Sequence, residues 1–161
     1  MTVSFRRGIA SDIGPIAQLH HDVWHETQAP FQPAAVHQSR DLDFFRSRVA
    51  IFAEQPLVVE RAGQLIGFSG WDNGYIGQLF LLPAARSKGI GRELLARTEA
   101  LLAKSGATEA RVVVISGNHQ ARAFFERSGW KVVSERPLQV DTTAGPVEVA
   151  AWQMAKTLIS A

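Results

Sequence analysis

Pro83-Ala-Ala-Arg-Ser-Lys-Gly-Ile-Gly-Arg92 follows an apolar run, Leu79-Phe-Leu-Leu82, and leads into Glu93-Leu-Leu-Ala-Arg-Thr-Glu-Ala-Leu-Leu102. The order predicts a strand ending at Pro83, a glycine-bearing loop and a Leu-rich helix. The first turn of a helix has unpaired N–H groups and a partial positive charge, and both attract an anion. Gly89 and Gly91 have no Cβ, so backbone N–H groups there can approach a pyrophosphate closely. Arg86, Lys88 and Arg92 add fixed charge, with Ser87 and Ile90 completing the loop. A plainer reading stands beside this one: a tight strand-to-helix turn carrying solvated basic side chains.

Two commoner nucleotide loops fail against the letters. No glycine is followed by Lys-Ser or Lys-Thr, which excludes the Walker loop, and the residue three after Gly91 is Leu94, which excludes the dinucleotide fingerprint. What remains is Arg86-x-x-Gly89-x-Gly91 after a strand that ends in proline.

The 161 residues suffice for one domain with a sizeable core, expected over 1–161, and are too few for two ordinary ones. Hydrophobic residues make up 46% and charged residues 20%, ordinary for a soluble globular protein. The net charge of +2 is too small to argue for a nucleic-acid partner, so the positive charge is read locally, around residues 86–92. With no cysteine, disulfides, thiolate metal sites and a cysteine nucleophile are excluded, and a reducing compartment is suited. The first residues, Met-Thr-Val-Ser-Phe-Arg-Arg, contain no apolar signal region, and no run approaches the 18 or more apolar residues of a membrane span. The expectation is a cytoplasmic protein without a membrane partner.

Outward from the loop, Val3–Arg7 alternates like a short strand. Ser11 or Asp12 can cap a helix with Pro15 in its first turn, along which Ile13, Ile16, Ala17, Leu19, Val23 and Trp24 form an apolar stripe. Ala29 to Pro33 breaks it, and a second helix is expected from about Asp41 to Ala50 with Leu42, Phe45 and Val49 on one face. Leu57–Glu60 and Leu65–Trp71 read as strands, and Asn73-Gly74 as a type I′ hairpin turn into a strand from Tyr75 to Leu82. The helix after the loop ends near Gly106. Arg111–Ile115 is an apolar strand, Asn118 a helix cap, Gly129 the helix end, and Trp130–Ser134 and Val147–Met154 two closing strands. The order β-α-α-β-β-β-α-β-α-β-β predicts a mixed α/β sheet covered by helices on both faces.

A second motif, Asn118-x-x-Ala121-x-x-Phe124-Phe125 followed by Gly129-Trp130, lies downstream. Together with Arg86-x-x-Gly89-x-Gly91 and the element order, it resembles the GCN5-related N-acetyltransferase (GNAT) family over essentially the whole chain. The resemblance implies a mostly antiparallel sheet of about six to seven strands flanked by about four helices. It implies acetyl-CoA as co-substrate and no metal. Arg86 to Arg92 would hold the pyrophosphate, and the pantetheine arm would pair with main chain at Leu81 and Leu82. The amide of Asn118 would bond a pantetheine carbonyl besides capping its helix. Leu81 N–H would polarise the thioester. A homodimer is the family's habit.

One departure bears on catalysis. The family usually has Tyr where this chain has Phe125, and that phenol protonates the departing CoA thiolate in many members. Phe125 would still line the cofactor site but has no hydroxyl. Either water or a neighbouring hydroxyl supplies the proton, or transfer is slow or lost. Tyr75, the only tyrosine, is a catalytic candidate and equally a cross-strand aromatic beside the turn; Ser116 and Ser128 are candidates that also read as caps. For the base, His20, His21, His25 and Glu26 cluster on the first helix, and they fit either an amine pocket or a solvated face. His21 and His25 have i, i+4 spacing without a third ligand, and no metal is expected.

The expected activity is transfer of an acetyl group from acetyl-CoA to a primary amine, on a small molecule or a peptide N-terminus, by direct attack in a ternary complex. The alternative is a catalytically impaired acyl-CoA-binding or regulatory module.

Overall fold

A computed structural model of the chain describes residues 2–50 and 55–159. Seven strands and five α-helices follow in the order β1 (Ser4–Arg7), α1 (Ile13–Thr27), α2 (Ala34–Ser39), α3 (Leu42–Ala50), β2 (Leu57–Arg61), β3 (Gln64–Asp72), β4 (Tyr75–Leu81), α4 (Ile90–Lys104), β5 (Glu109–Ile115), α5 (His119–Arg127), β6 (Lys131–Val140) and β7 (Val147–Thr157). All seven strands join one sheet in the order β1-β2-β3-β4-β5-β7-β6. Every pair is antiparallel except β4–β5. This is the mixed α/β sheet that the element order predicts, mostly antiparallel as the family resemblance implies, with α2 as an additional helix.

Side-chain alternation divides the core in two. Val58, Phe68 and Phe80 pack on one face with Ile16, Val23 and Trp24 of α1 and Phe45 of α3. Val59, Ile66 and Leu81 pack on the other with Leu94 and Leu95 of α4 and Phe125 of α5. A buried hydroxyl pair, Ser69 to Thr98 at 2.7 Å, ties β3 to α4.

Glycine-bearing turns set the register. Asn73 and Gly74 both take positive φ, 50° and 82°, as a type I′ turn requires. Gly106 and Gly129 close α4 and α5 with φ of 102° and 91°. Two sequence expectations change. Asp12 does not cap α1: its carboxylate accepts the Ile9 N–H at 2.8 Å and pairs with Arg6 at 2.8 Å. The sixth strand runs on to Val140 through Pro137, which an edge strand tolerates because its outer side needs no ladder donor.

One irregularity opens the sheet. The β3–β4 register passes from Gly70↔Gln78 to Trp71↔Ile76, so Gly77 is an extra residue in β4. Such a bulge bends its strand away from its neighbour. β4 pairs with β5 only at Tyr75↔Arg111, before the bulge. Beyond Gly77 the two strands diverge, and a wedge opens in the middle of the sheet.

Candidate functional site

The wedge is one end of a cavity of about 640 Å³. Leu79, Phe80 and Leu81 of β4 line it, with Val23, Glu26 and Thr27 of α1, Phe31 after that helix, and Asn118, Ala121, Phe124 and Phe125 of α5. The loop before α4 contributes Arg86, Ser87 and Gly89, the first turn of α4 contributes Gly91 and Arg92, and the end of α5 adds Arg127. The cavity therefore carries three arginines, and Glu26 is its only acidic group among the described lining residues.

Each glycine of the loop has its own reason. Gly89 sits at the N-cap of α4 with φ of +78°, a left-handed conformation that penalises any other side chain. Gly91 lies inside the first turn, where a Cβ would stand 3.1 Å from Leu81 Cδ1 and 3.5 Å from Phe124 Cε1. There the absence of a Cβ lets α4, β4 and α5 converge on the helix N-terminus. Ser87 also takes positive φ, 61°.

Hydrogen bonding separates Leu81 from Leu82. Leu82 N–H donates to Ile66 O of β3 at 2.9 Å, so that amide is committed to the sheet, and Leu82 does not line the cavity. Backbone alternation turns the polar groups of Leu81 the other way, toward the unpaired side beyond the bulge. The Leu81 carbonyl accepts from Arg86 Nε at 3.2 Å and Nη2 at 2.9 Å. The same guanidinium donates to both carboxylate oxygens of Glu26, at 2.8 and 2.9 Å. That pairing holds the Glu26 carboxyl below its usual range.

Other residues singled out in the sequence fall into two groups. Asn118 caps α5, its Oδ1 accepting from Ala121 N–H at 3.2 Å, and also lines the cavity. Phe125 lines it too, buried against Phe124 and Trp130 with ring centroids 5.3 and 5.2 Å away. Lys88 and Ile90 do not: Ile90 is buried in the core, and both border a separate hollow of about 370 Å³ beside Val3, Arg61 and Glu93. Tyr75 is 46% exposed at the far end of β4, about 20 Å along the strand from Leu81, and its hydroxyl accepts from Arg111 Nη1 at 3.5 Å. That places it as the cross-strand aromatic beside the turn, apart from the cavity. Ser116 donates to Glu135 at 2.7 Å, and Ser128, which lines the cavity, donates to the Phe124 carbonyl at 3.2 Å.

The histidine cluster comes apart in the same way. His20 is buried between Phe45, Phe68 and Phe80 rather than lying on a solvated face. His21 and His25 stack at 4.6 Å, and His25 Nε2–H donates to Arg40 O at 2.6 Å. Among the described residues no group of three or more His, Asp or Glu could hold a metal. Only Glu26 of the four residues reaches the cavity. Its partnership with Arg86 spans 60 positions and has no local sequence signal, which is why the sequence reading did not isolate it.

The acetyltransferase (GNAT) family profile matches residues 16–130, more than half of the chain, and the chain belongs to that family of acetyl-CoA-dependent acetyltransferases. Solved structures agree in fold. A GCN5-related N-acetyltransferase from Rhodopseudomonas palustris is 19% identical with a TM-score of 0.79, covering 98% of this chain and 97% of its own. The PaiA N-acetyltransferase from Thermoplasma acidophilum, solved with coenzyme A, is 22% identical with a TM-score of 0.69, over 98% and 99% of the two chains. YncA from Salmonella typhimurium, described as a putative acetyltransferase and solved with acetyl-CoA, is 19% identical with a TM-score of 0.72, over 100% and 96%. No curated protein matches the sequence significantly.

Proposed function

We propose that this chain moves the acetyl group of acetyl-CoA to the nitrogen of a primary amine by direct attack within a ternary complex. The observation that carries the reading is the continuity of the cavity. It joins the glycine loop and first turn of α4 to the wedge where β4 leaves β5. A pyrophosphate is served at one end by helix N–H groups, Arg86 and Arg92. An extended pantetheine arm is served in the middle by the side of β4 that β5 leaves unpaired beyond the bulge, in the manner of an added strand. Asn118 can bond that arm while still capping α5, because its Oδ1 caps and its Nδ2 stays available.

Acetyl-CoA supplies an activated acyl carbon and a thiolate leaving group. The amine nitrogen forms the new C–N bond at the thioester carbon, the C–S bond breaks with its electron pair leaving on the thiolate, and the amine passes its proton to water. Leu81 N–H, on the unpaired side of β4, is assigned to polarise the thioester carbonyl. Phe125 can only pack against the arm, so the thiolate takes its proton from water; a thiol of reference pKa about 8.5 makes that leaving group tolerable near neutral pH. A cysteine-free chain suits the cytoplasm as its setting. Among the described residues no helix is long and apolar enough to cross a membrane.

Isothermal titration is expected to show micromolar CoA binding, followed by CoA release from acetyl-CoA with at least one member of a primary-amine panel. No binding at millimolar CoA overturns the reading. Phe125 keeps a second reading in view, an acyl-CoA-binding module with impaired catalysis. Phe125→Tyr is expected to raise turnover by less than about tenfold, since the proton already has another source. A gain of about 10²–10⁴, the usual size of general acid catalysis, would favour the impaired module.

A further inference from the structure

The cavity's cationic loop and the one carboxylate among its described lining residues are bonded to each other. Arg86 and Glu26 form a two-pronged pair, both contacts under 3 Å, from opposite walls: the loop before α4 and the C-terminal turn of α1. Both side chains keep solvent contact, 31% and 45% exposed, so the pair is exchangeable rather than locked in the core. Arg86 stays anchored through Leu81 O whichever anion it faces, because those contacts use Nε and one hydrogen of Nη2. What it lacks is room for a second anion in the plane where Glu26 sits.

Resting on the acyl-CoA reading, we propose that Glu26 and the cofactor's pyrophosphate are alternative partners of Arg86, so that cofactor loading frees the only carboxylate among the cavity's described lining residues to take the cationic form of the acceptor amine. Two charged oxygens of a phosphate satisfy the guanidinium fork as well as a carboxylate does, and they bring more charge. Glu26, with a phosphate nearby and Arg86 withdrawn, gains most from a new cation. The described lining provides none besides Arg92, in the first turn of α4, and Arg127, at the end of α5. An ammonium entering beside α1 meets that need. The amine and the cofactor thereby favour one another, and the acceptor class is a positively charged amine rather than a neutral or anionic one. The freed carboxylate is also a stronger base than the paired one, in keeping with the proton the amine must lose.

The test is titration calorimetry with free CoA, which binds without turnover, on the wild-type chain and on Glu26→Gln. Removing the competing carboxylate is expected to tighten CoA about two- to fivefold, the size of an exposed ion pair. Acetylpantetheine, which lacks the pyrophosphate, is expected to bind both proteins equally. Adding 50 mM propylammonium, against 50 mM tetramethylammonium as the ionic control, is expected to tighten CoA for the wild type and not for Glu26→Gln, because binding coupling is reciprocal. CoA binding that is unchanged or weaker in Glu26→Gln overturns the exchange. An equal gain for acetylpantetheine does so as well. A propylammonium effect that is absent from the wild type, or that survives in Glu26→Gln, overturns the acceptor role. A wild type that binds no CoA instead overturns the acyl-CoA reading itself.

Discussion

Gly91→Val is expected to weaken CoA binding by about 100-fold or more while leaving a cooperatively folded chain. The Cβ alone would stand 3.1 Å from Leu81 Cδ1 and 3.5 Å from Phe124 Cε1, and valine adds two methyl groups beyond it. Those atoms enter the point where the first turn of α4, the unpaired side of β4 and α5 meet, between the two ends of the cavity that we assign to pyrophosphate and pantetheine. Overpacking costs about 1–3 kcal/mol, and lost approach of the helix N–H groups adds to it; a factor of 100 corresponds to about 2.7 kcal/mol. Calorimetry with CoA reads the affinity, and a thermal melt followed by circular dichroism checks the fold. Gly89→Ala is the informative contrast. Nothing lies within 4 Å of its Cβ, so it acts only through backbone strain at φ of +78°, about 1–2 kcal/mol. Wild-type affinity in Gly91→Val would show that the cofactor takes another path.

The second large effect is on stability in acid. His20 is 5% exposed, with ring centroids of Phe45 and Phe80 at 4.4 and 4.5 Å and its Nδ1 buried without a hydrogen-bond partner. Burial, aided by the positive charges of Arg48 and Arg40, pushes its pKa down from 6.5 to about 3. The unfolded chain therefore takes up this proton near pH 6.5, and the folded chain does so only near pH 3. Between those limits the unfolded state holds more protons, so stability is complete above pH 6.5 and falls as pH falls, by up to about 1.4 kcal/mol per unit. Urea unfolding is expected to show a loss of about 2.5 kcal/mol between pH 6.5 and 4.5. Asp12 and Glu26, whose carboxyls their arginine partners hold low, begin to lose their contribution as pH falls through the ordinary carboxylate range, at the lower edge of this window, so the slope above about pH 5 is the part that reports histidine. His20→Leu is expected to flatten the slope; an unchanged slope would assign it elsewhere.

The two predictions differ in how far the sequence carried them. Gly91 was legible because strand, proline, glycine loop and helix are contiguous, and local chain geometry alone brings helix N–H groups to one point. His20 was legible only as part of a cluster. Its spacing from Ile16, Ala17, Val23 and Trp24 places it on the apolar stripe, yet neighbouring His21 and His25 made a polar face equally reasonable. Which face α1 turns inward is settled by Phe45, Phe68 and Phe80, contributed by three other elements.

The sequence by itself determined the turns, the Asn118 cap, the order of the elements other than α2 and the glycine loop before α4, because each rests on the conformational limits of one to four adjacent residues. Tertiary structure alone decided where the loop leads. The extra residue Gly77 separates β4 from β5, the unpaired side of Leu81 opens onto the cavity, and Tyr75 is carried to the opposite end of its strand. It also decided the pairing of Glu26 with Arg86 across 60 positions, since a contact between two walls of a cavity exists only once both helices have docked on the sheet.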